Sequence, residues 1–443
     1  MSESPKSRRL LIVSPHFPPL NAPDHQRVRM SLPYYAASGW EPVILCIARD
    51  RQCGVMEEEL SGTLPPGVRI VGVRAFSNRW TRWIGIGNAG LRCWVPMLFA
   101  GLRLLRDEKI DLVFFSTTQF FTFTLGRIWR RLRGVPYVFD MQDPWRTDYY
   151  ERAGSRPPPG GWKYRLARFV AWALEGWSFR KVSGVISVSS GYIADLRARY
   201  PHLAKVPAAT IRFGASTDDL VTARRLTATA CSLARSGGEV HLVYTGAAGP
   251  VTPHALTVLF AGVSLFRERR PEDASRLRFH FLGTSYVAPG QGRPAVLPLA
   301  EQFGLADLVT ELPHRIGHLE CLRLQEQADV LLLPGSSDSA YSPSKTYPYF
   351  LTGRPILGLV FEGSVLEHLL GELGGAYLVR FSEHGPKEHA HAAIARFLEA
   401  AARGRAAELA APRDEERFAR EFLAPSLTAR QAEIFSFACA HRG

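Results

Sequence analysis

Residues 328–357 read ADVLLLPGSSDSAYSPSKTYPYFLTGRPIL. A short apolar run ends at Pro334-Gly335. A polar loop follows, then Ser342-Pro343-Ser344-Lys345-Thr346, an aromatic stretch, and Gly353-Arg354-Pro355 ahead of a second apolar run. Short continuous apolar runs bounded by turn residues read as strands buried on both faces. The segment between them reads as a helix, with Ser342 as its N-cap and Pro343 at the first helical position. The pattern is strand, loop, helix, strand, which is the repeat of a helix-covered parallel sheet. The first turn of a helix offers free N–H groups and a partial positive charge, and Lys345 adds a full one. The stretch is therefore an anion site or an ordinary capped helix with a solvated lysine.

The same alternation runs in both directions. Upstream, strand-like runs occur at RRLLIVSP (8–15), EPVILCIA (41–48), DLVFFST (111–117), PYVFDMQD (136–143) and GVISVSS (184–190). Helical patterns lie between them, through VRMSLPYYAASGW (28–40), LFAGLRLLRDE (98–108), FTLGRIWRRLRG (123–134) and YRLARFVAWALEGWSFRKV (164–182). Residues 210–238 carry less strand signal, and the alternation restarts at EVHLVYTGAAG (239–249). It continues through a helix from Pro253, RFHFLGTS (278–285), DLVTELP (307–313), LECLRLQEQ (319–327) and the opening stretch. The expected class is α/β, with two Rossmann-like parallel-sheet domains and ligands in a crevice at the carboxyl ends of the strands. The expected boundaries are 1–212, 213–411, and closing helices over 412–443 that pack back toward the N-terminal domain. RPPPGG (156–161) reads as a surface loop.

Composition narrows the partners. The chain has 443 residues, 46% hydrophobic, with a net charge of +13. That is enough apolar material for sizeable cores, and a charge that favours anionic ligands or surfaces. The arginines are dispersed and no nucleic-acid recognition motif is found, so nucleic acid is not expected as a partner. Cys46, Cys53, Cys93, Cys231, Cys321 and Cys439 form no Cys-x-x-Cys pair, which suggests neither a zinc site nor a disulfide framework. The apolar run near the N-terminus stops at Val13, short of the roughly 7–15 residues of a secretory signal. The longest apolar stretch is CWVPMLFAG (93–101), well below the ~20 residues of a membrane span. A cytoplasmic chain is expected, peripheral at the inner membrane face if it is membrane-associated.

Several segments, in order, resemble family-4 glycosyltransferases of the GT-B fold. SPSKTYPYFLTGRPIL is similar to the family's PSK-x-x-E-Y-x-x-x-G-x-P segment, and LLIVSPHFPPLNAPDHQRVR to its first strand and phosphate-proximal loop. YVFDMQDPW resembles the acceptor-side segment. KVSGVISVSSGYIADL is similar to the end of the N-terminal domain, VYTGAAG to the strand opening the C-terminal one, and ADVLLLPGSSDSAYSPSK to the end of the donor site. The resemblance covers nearly the whole chain. It implies two domains facing a cleft, a nucleotide-sugar held by the second and an acceptor by the first. It also implies a retaining transfer that uses neither a metal nor a cofactor beyond the nucleotide-sugar co-substrate. The product would be a cell-surface polysaccharide or lipid-linked glycan.

The residues this brings forward are of three kinds. Lys345, with Ser344, Thr346 and Gly246, would hold the donor phosphates, and Lys345 would stabilise the leaving group. His314 or Arg315, in ELPHRIGH (311–318), would contact the base or phosphate, or be surface residues without a role. His16, Asn21, Asp24 and Arg27 form the acceptor or phosphate-proximal loop, Arg27 reaching a diphosphate; the alternative is a plain loop with Asp24 capping a helix. Asp143 would orient the acceptor hydroxyl or accept its proton, or else cap the following turn, while Asp140 reads as structural. Trp80, Trp83, Trp94 and Phe99, interleaved with arginines over 78–106, are an interfacial patch for an anionic leaflet or a buried helix pair; 162–181 is a second such segment. His384, His389 and His391 read as solvated surface. The chain departs from the family at its paired glutamates, whose positions hold Ala340 and Pro348. A non-catalytic homologue that binds a nucleotide-sugar or a partner is therefore the alternative.

Overall fold

A computed structural model describes residues 7–83, 87–146, 161–226, 233, 237–248, 252–339, 341, 343–382 and 388–440. The chain divides into two compact units, Met1–Phe213 with Ala424–Gly443, and Gly214–Leu423. The closing block expected over 412–443 is thus split at Leu423. Its helix Glu415–Phe422 belongs to the second unit, where Phe418 and Phe422 stack on Phe350 and Tyr347. Its helix Ala424–Ala440 belongs to the first.

The first unit carries a seven-stranded parallel sheet of order β3-β2-β1-β4-β5-β6-β7. The strands are β1 (Arg8–Val13), β2 (Trp40–Ile47), β3 (Arg69–Val73), β4 (Ile110–Ser116), β5 (Tyr137–Met141), β6 (Gly184–Ser187) and β7 (Ala208–Thr210). Alternate residues of β1 enter different cores, Leu11 and Val13 on one face and Leu10 and Ile12 on the other. Both faces are covered, which is why the strands read as continuous apolar runs rather than alternating ones. The helix Ala424–Ala440 packs on the second face, with Phe435 against Trp40 and Phe114. The order reverses between β1 and β4, so the loops leaving these two strands diverge and leave a crevice at their carboxyl ends.

The second unit has a six-stranded parallel sheet of order β10-β9-β8-β11-β12-β13. Its strands are β8 (Val240–Thr245), β9 (Leu277–Leu282), β10 (Val309–Leu312), β11 (Val330–Pro334), β12 (Ile356–Phe361) and β13 (Ala376–Phe381). Here the reversal lies between β8 and β11. The strand-loop-helix-strand reading of the opening stretch holds, with β11, the helix Thr346–Leu351 and β12 in that order.

Local differences have physical causes. The helix expected through 28–40 is a helix only over Gln26–Ser31, followed by 3-10 turns at Leu32–Tyr34 and Ala36–Ser38. Pro33 cannot donate to the preceding turn and breaks the α ladder. The helix after β11 starts later than expected. Its N-cap is Lys345, not Ser342, and Pro343 and Ser344 precede it in a turn. Ser342 and Ala340, like most of RPPPGG and His384, lie outside the described residues. β3 gave no sequence signal because it is an edge strand with mostly exposed residues.

Candidate active site

The segments at the two reversal points carry His16 and Asp24 in the first unit and Gly246, Ser344, Lys345 and Thr346 in the second. In the first unit, His16 lies just past β1, and its Nδ1 contacts Asp24 at 3.0 Å. The Asp24 carboxylate also accepts from the Thr117 hydroxyl at 2.9 Å, just past β4. Burial alone would push the Asp24 carboxyl up, but His16 and the Thr117 hydroxyl bring it down to about 2. Burial alone would lower the His16 imidazole, but the Asp24 charge and hydrogen bond override that and raise it above its ordinary value. His16 keeps 20% of its side chain exposed while Asp24 is sealed at 2%. Nδ1–H faces the carboxylate, so Nε2 is left to face a ligand. An imidazole held by a buried carboxylate with one nitrogen outward can orient a hydroxyl or take its proton.

Arg27 does not serve this loop as expected. It is 4% exposed and its Nε lies 2.8 Å from Asp140, which is fully buried. Its Nη2 donates to the Ile211 carbonyl at 2.7 Å, and its guanidinium stacks over Phe213. The guanidinium is committed to the scaffold rather than to a diphosphate. Asp140 accepts from Ser116 at 2.7 Å and from Gln142 at 3.2 Å, a structural role. Asn21 is buried, with its backbone N–H on Val55. His25 is buried, its imidazole pushed down to about 3 chiefly by burial, with Nε2–H on the Leu20 carbonyl at 2.6 Å. Asp143 does not end a strand, since β5 stops at Met141. It sits exposed in the turn beyond, and no hydrogen bond of its carboxylate is found among the described residues. Desolvation and the Asp24 charge hold that carboxyl above its usual range.

In the second unit, the helix Thr346–Leu351 is tied to the end of β8. The Tyr349 hydroxyl accepts from the Thr245 backbone N–H at 2.8 Å, and Gln325 Nε2 donates to Thr245 Oγ1 at 2.7 Å. This places the Lys345 ammonium on Tyr244, hydrogen-bonded to its hydroxyl and 4.0 Å from its ring centroid. Gly246 makes room for it. A Cβ there would stand 2.9 Å from Lys345 Nζ, and the residue has φ of +124°. Among the described residues no carboxylate pairs with Lys345. Burial therefore dominates, and its pKa falls to about 7 from an ordinary 10.5. Thr346 is fully buried with no partner for its hydroxyl oxygen. Ser344 is exposed. A six-residue helix has only a weak dipole, so the positive charge of this site is that of Lys345 itself.

Other groups of the second unit join this end of the sheet. Arg315 stacks over the exposed ring of Tyr286 at 5.5 Å, and His314 is half-buried beside it in the chain. Tyr341 has its hydroxyl pushed up to about 12 by desolvation and Tyr286. Glu311 anchors the loop ahead of Leu297–Gln302, accepting from the backbone N–H groups of Ala295, Val296 and Leu297. The contact of Lys345 with Tyr244 was not visible in the sequence, because Tyr244 reads there as one more apolar strand residue. Among the described residues, no group of three or more His, Cys, Asp or Glu is arranged to hold a metal ion.

Residues 25–213 match the model of the glycosyl transferase 4-like domain. No curated protein sequence matches the chain. Among solved structures, the chain is similar to WaaG, a glycosyltransferase involved in lipopolysaccharide biosynthesis. The identity is 14%, the TM-score 0.56, and 97% of this chain and 99% of that one are covered. It is also similar to an alpha,alpha-trehalose-phosphate synthase (UDP-forming) from Burkholderia xenovorans, solved with glucose-6-phosphate. There the identity is 11%, the TM-score 0.58, with 97% and 100% covered. Both likenesses are at the level of the fold, which is GT-B, as the sequence resemblance implied.

The low pKa of Lys345 has a consequence for stability. Between about 7 and 10.5 the unfolded chain holds the lysine proton and the folded chain does not, so folding stability rises with pH across that window. Lys345→Met is expected to be more stable than the parent below pH 7, with the gap closing as pH rises. Urea denaturation over a pH series reads this directly, and an unchanging gap would refute the assignment.

Proposed function

We propose that this chain, which carries a glycosyltransferase family 4 domain on the GT-B fold, moves a sugar from a nucleotide-sugar to a hydroxyl acceptor. The observation that carries this is Lys345, a half-buried ammonium without a carboxylate partner among the described residues, beside the orphaned Thr346 hydroxyl. An anionic diphosphate supplies the missing partner of the lysine, and stabilising charge on that leaving group is the main task of such a site. The donor is assigned to the second unit and the acceptor to the first. His16, held by Asp24, orients the acceptor hydroxyl, and Asp143 adds its carboxylate beside the same loop. Retention of anomeric configuration and independence of metal are the outcomes implied by the family resemblance. The alternative is a homologue that binds the nucleotide-sugar without turnover. It is favoured by Pro348, whose side chain offers no acceptor where the family has a ribose-binding glutamate.

Thermal shift against a panel of nucleotide-sugars and free nucleotides tests the donor site, since a ligand selective for the folded state raises the midpoint. One nucleotide class is expected to give a shift that Lys345→Ala abolishes. A shift unchanged in that variant would remove the phosphate role of Lys345. Binding without product formation would support the non-catalytic reading.

Where an acceptor is turned over, the His16 pair sets the pH profile. His16 acts with its outward nitrogen unprotonated, so kcat/KM is expected to fall with acidification through a pKa above 6.5. Asp24→Asn removes the charge that raises it, so the acid limb is expected to move to lower pH. His16→Ala is expected to cost on the order of 10²-fold or more in kcat, with donor binding unchanged. An acid limb that stays at the parent pH in both variants would exclude His16.

The acceptor is assigned to an anionic membrane surface. Trp80 and Trp83, in the helix Asn78–Trp83, are 78% and 93% exposed, and Phe99 in Ala89–Asp107 is 64% exposed. Only Trp94 of that group turns inward, donating to Thr124. Large exposed aromatics among Arg79, Arg103 and Arg106 suit insertion at a headgroup boundary. No helix among the described residues is long and apolar enough to cross a membrane. Co-sedimentation with vesicles containing phosphatidylglycerol is expected, and is expected to be lost in the Trp80→Ser/Trp83→Ser double variant. Equal binding to phosphatidylcholine alone, or none to either, would contradict the assignment.

A further inference from the structure

The first unit contains a cavity of about 280 Å³ opening beside His16 and lined also by Gln52, Cys53, Asn78, Arg92 and Gln119. This is at the small end of ligand pockets, which run from ~300 Å³ upward, and suits a group of monosaccharide size. Its unusual member is Arg92, which is 3% exposed. Its Nε donates to the Phe76 carbonyl at 2.9 Å and its Nη2 to the Arg51 carbonyl at 3.1 Å. Its Nη1 donates to the Cys53 sulfur at 3.6 Å. Three of its five N–H groups are thereby held, and among the described residues no carboxylate pairs with it. A buried guanidinium is almost always matched by an anion, because its desolvation is otherwise uncompensated.

The remaining charges around the cavity do not supply that anion. Asp24 is taken by His16 and Thr117, and Asp50 by Arg51 and Arg74. The N-terminus of the 19-residue helix Ala89–Asp107 also borders the cavity, at Asn88 and Ala89, and adds its partial positive charge. Asn78 Oδ1 is buried with no donor. The cavity thus presents a fixed cation for an oxyanion, an unused acceptor for a hydroxyl, and His16 at its rim.

We infer that this cavity is the acceptor subsite and that it takes a hydroxyl-bearing sugar with an anionic substituent, a phosphate or a carboxylate. The oxyanion pairs with Arg92 and a sugar hydroxyl donates to Asn78, which holds the ring against His16. The word acceptor rests on the transferase reading above; the binding itself does not. Uncharged sugars lose the ion pair and leave Arg92 uncompensated, so the substituent is a specificity determinant.

Calorimetric titration of the full chain without any nucleotide-sugar tests binding apart from turnover. The probes are glucose, glucose 6-phosphate, glucuronate and inorganic phosphate. At least one of the two charged sugars is expected to bind tenfold or more tighter than glucose and also tighter than inorganic phosphate. Comparing these two separates a phosphate from a carboxylate preference. Arg92→Met is expected to reduce the charged sugars to the level of glucose. That variant loses two backbone contacts, so Gln119→Glu provides a second test. It keeps the oxygen that accepts from the Gly90 N–H at 3.0 Å and adds a negative charge, and it is expected to abolish binding of charged sugars. Equal affinity for glucose and the charged sugars would overturn the inference. So would charged-sugar binding that survives in the folded variants, because the oxyanion would then sit elsewhere. A failed transferase assay with these titrations positive would remove the transferase reading and leave the subsite standing.

Discussion

The first unit is organised around the buried ion pair of Arg27 and Asp140. Both ends are sealed, at 4% and 0% exposure, and both are hydrogen-bonded beyond each other. Arg27 reaches carbonyls at residues 211 and 212, while Asp140 takes Ser116 at the end of β4 and Gln142 just past β5. One pair therefore fixes the segments leaving β1, β4 and β5, which are the ones that bear the site. Breaking such a pair from one side typically costs roughly 3–5 kcal/mol, because the other charge stays buried. Asp24 lies one helical turn before Arg27, and the geometry of His16 follows from where that turn is held.

The second unit reaches the same end with neutral groups. Thr245 hydrogen-bonds both Tyr349 and Gln325, linking β8 to the two helices that follow β10 and β11. No charge is consumed in positioning Lys345, so its own charge remains available. The contrast between units sorts the cations. Arg27 is matched by a carboxylate and holds the scaffold. Lys345 and Arg92 are held by carbonyls, a thiol or a phenol, and each stands where a ligand is proposed. Residue type does not separate these roles; the presence or absence of a buried counter-charge does.

That distinction also explains how far the sequence could be read. Fold class was legible because period and strand composition are local properties, and a strand buried on both faces announces itself as an apolar run. β3 was not, being an edge strand with exposed residues. The regions carrying Lys345 and His16 were singled out through loop position after strands. Arg27 was misassigned because pairing with Asp140 joins residues 113 positions apart, and nothing local marks it. Arg92 was passed over for the same reason. In sequence it is one arginine among tryptophans, and only the fold brings it to Cys53, 39 positions away. Tyr244 acquires meaning only when the turn after β11 delivers Lys345 to it, and Gly246, named from the resemblance, proves to be the room that this side chain needs.

The departures from the family pattern bear on different parts of a donor. Pro348 occupies the third position of the helix Thr346–Leu351, within the first turn, where a missing N–H removes no intrahelical bond. The backbone accepts it without distortion, and the loss is one of side-chain chemistry at the position the family uses for a ribose. Lys345 is unaffected, and its local cost persists. Burial takes its pKa down to about 7, so near neutrality the folded protein carries a charge that its surroundings disfavour. A methionine would fill the same space without that penalty, so packing alone gives no reason for an ammonium there. An anion that pairs with it does. On the donor chemistry proposed above, Lys345 would still meet a phosphate, and Pro348 would act on which nucleotide is held rather than on whether a phosphate is held.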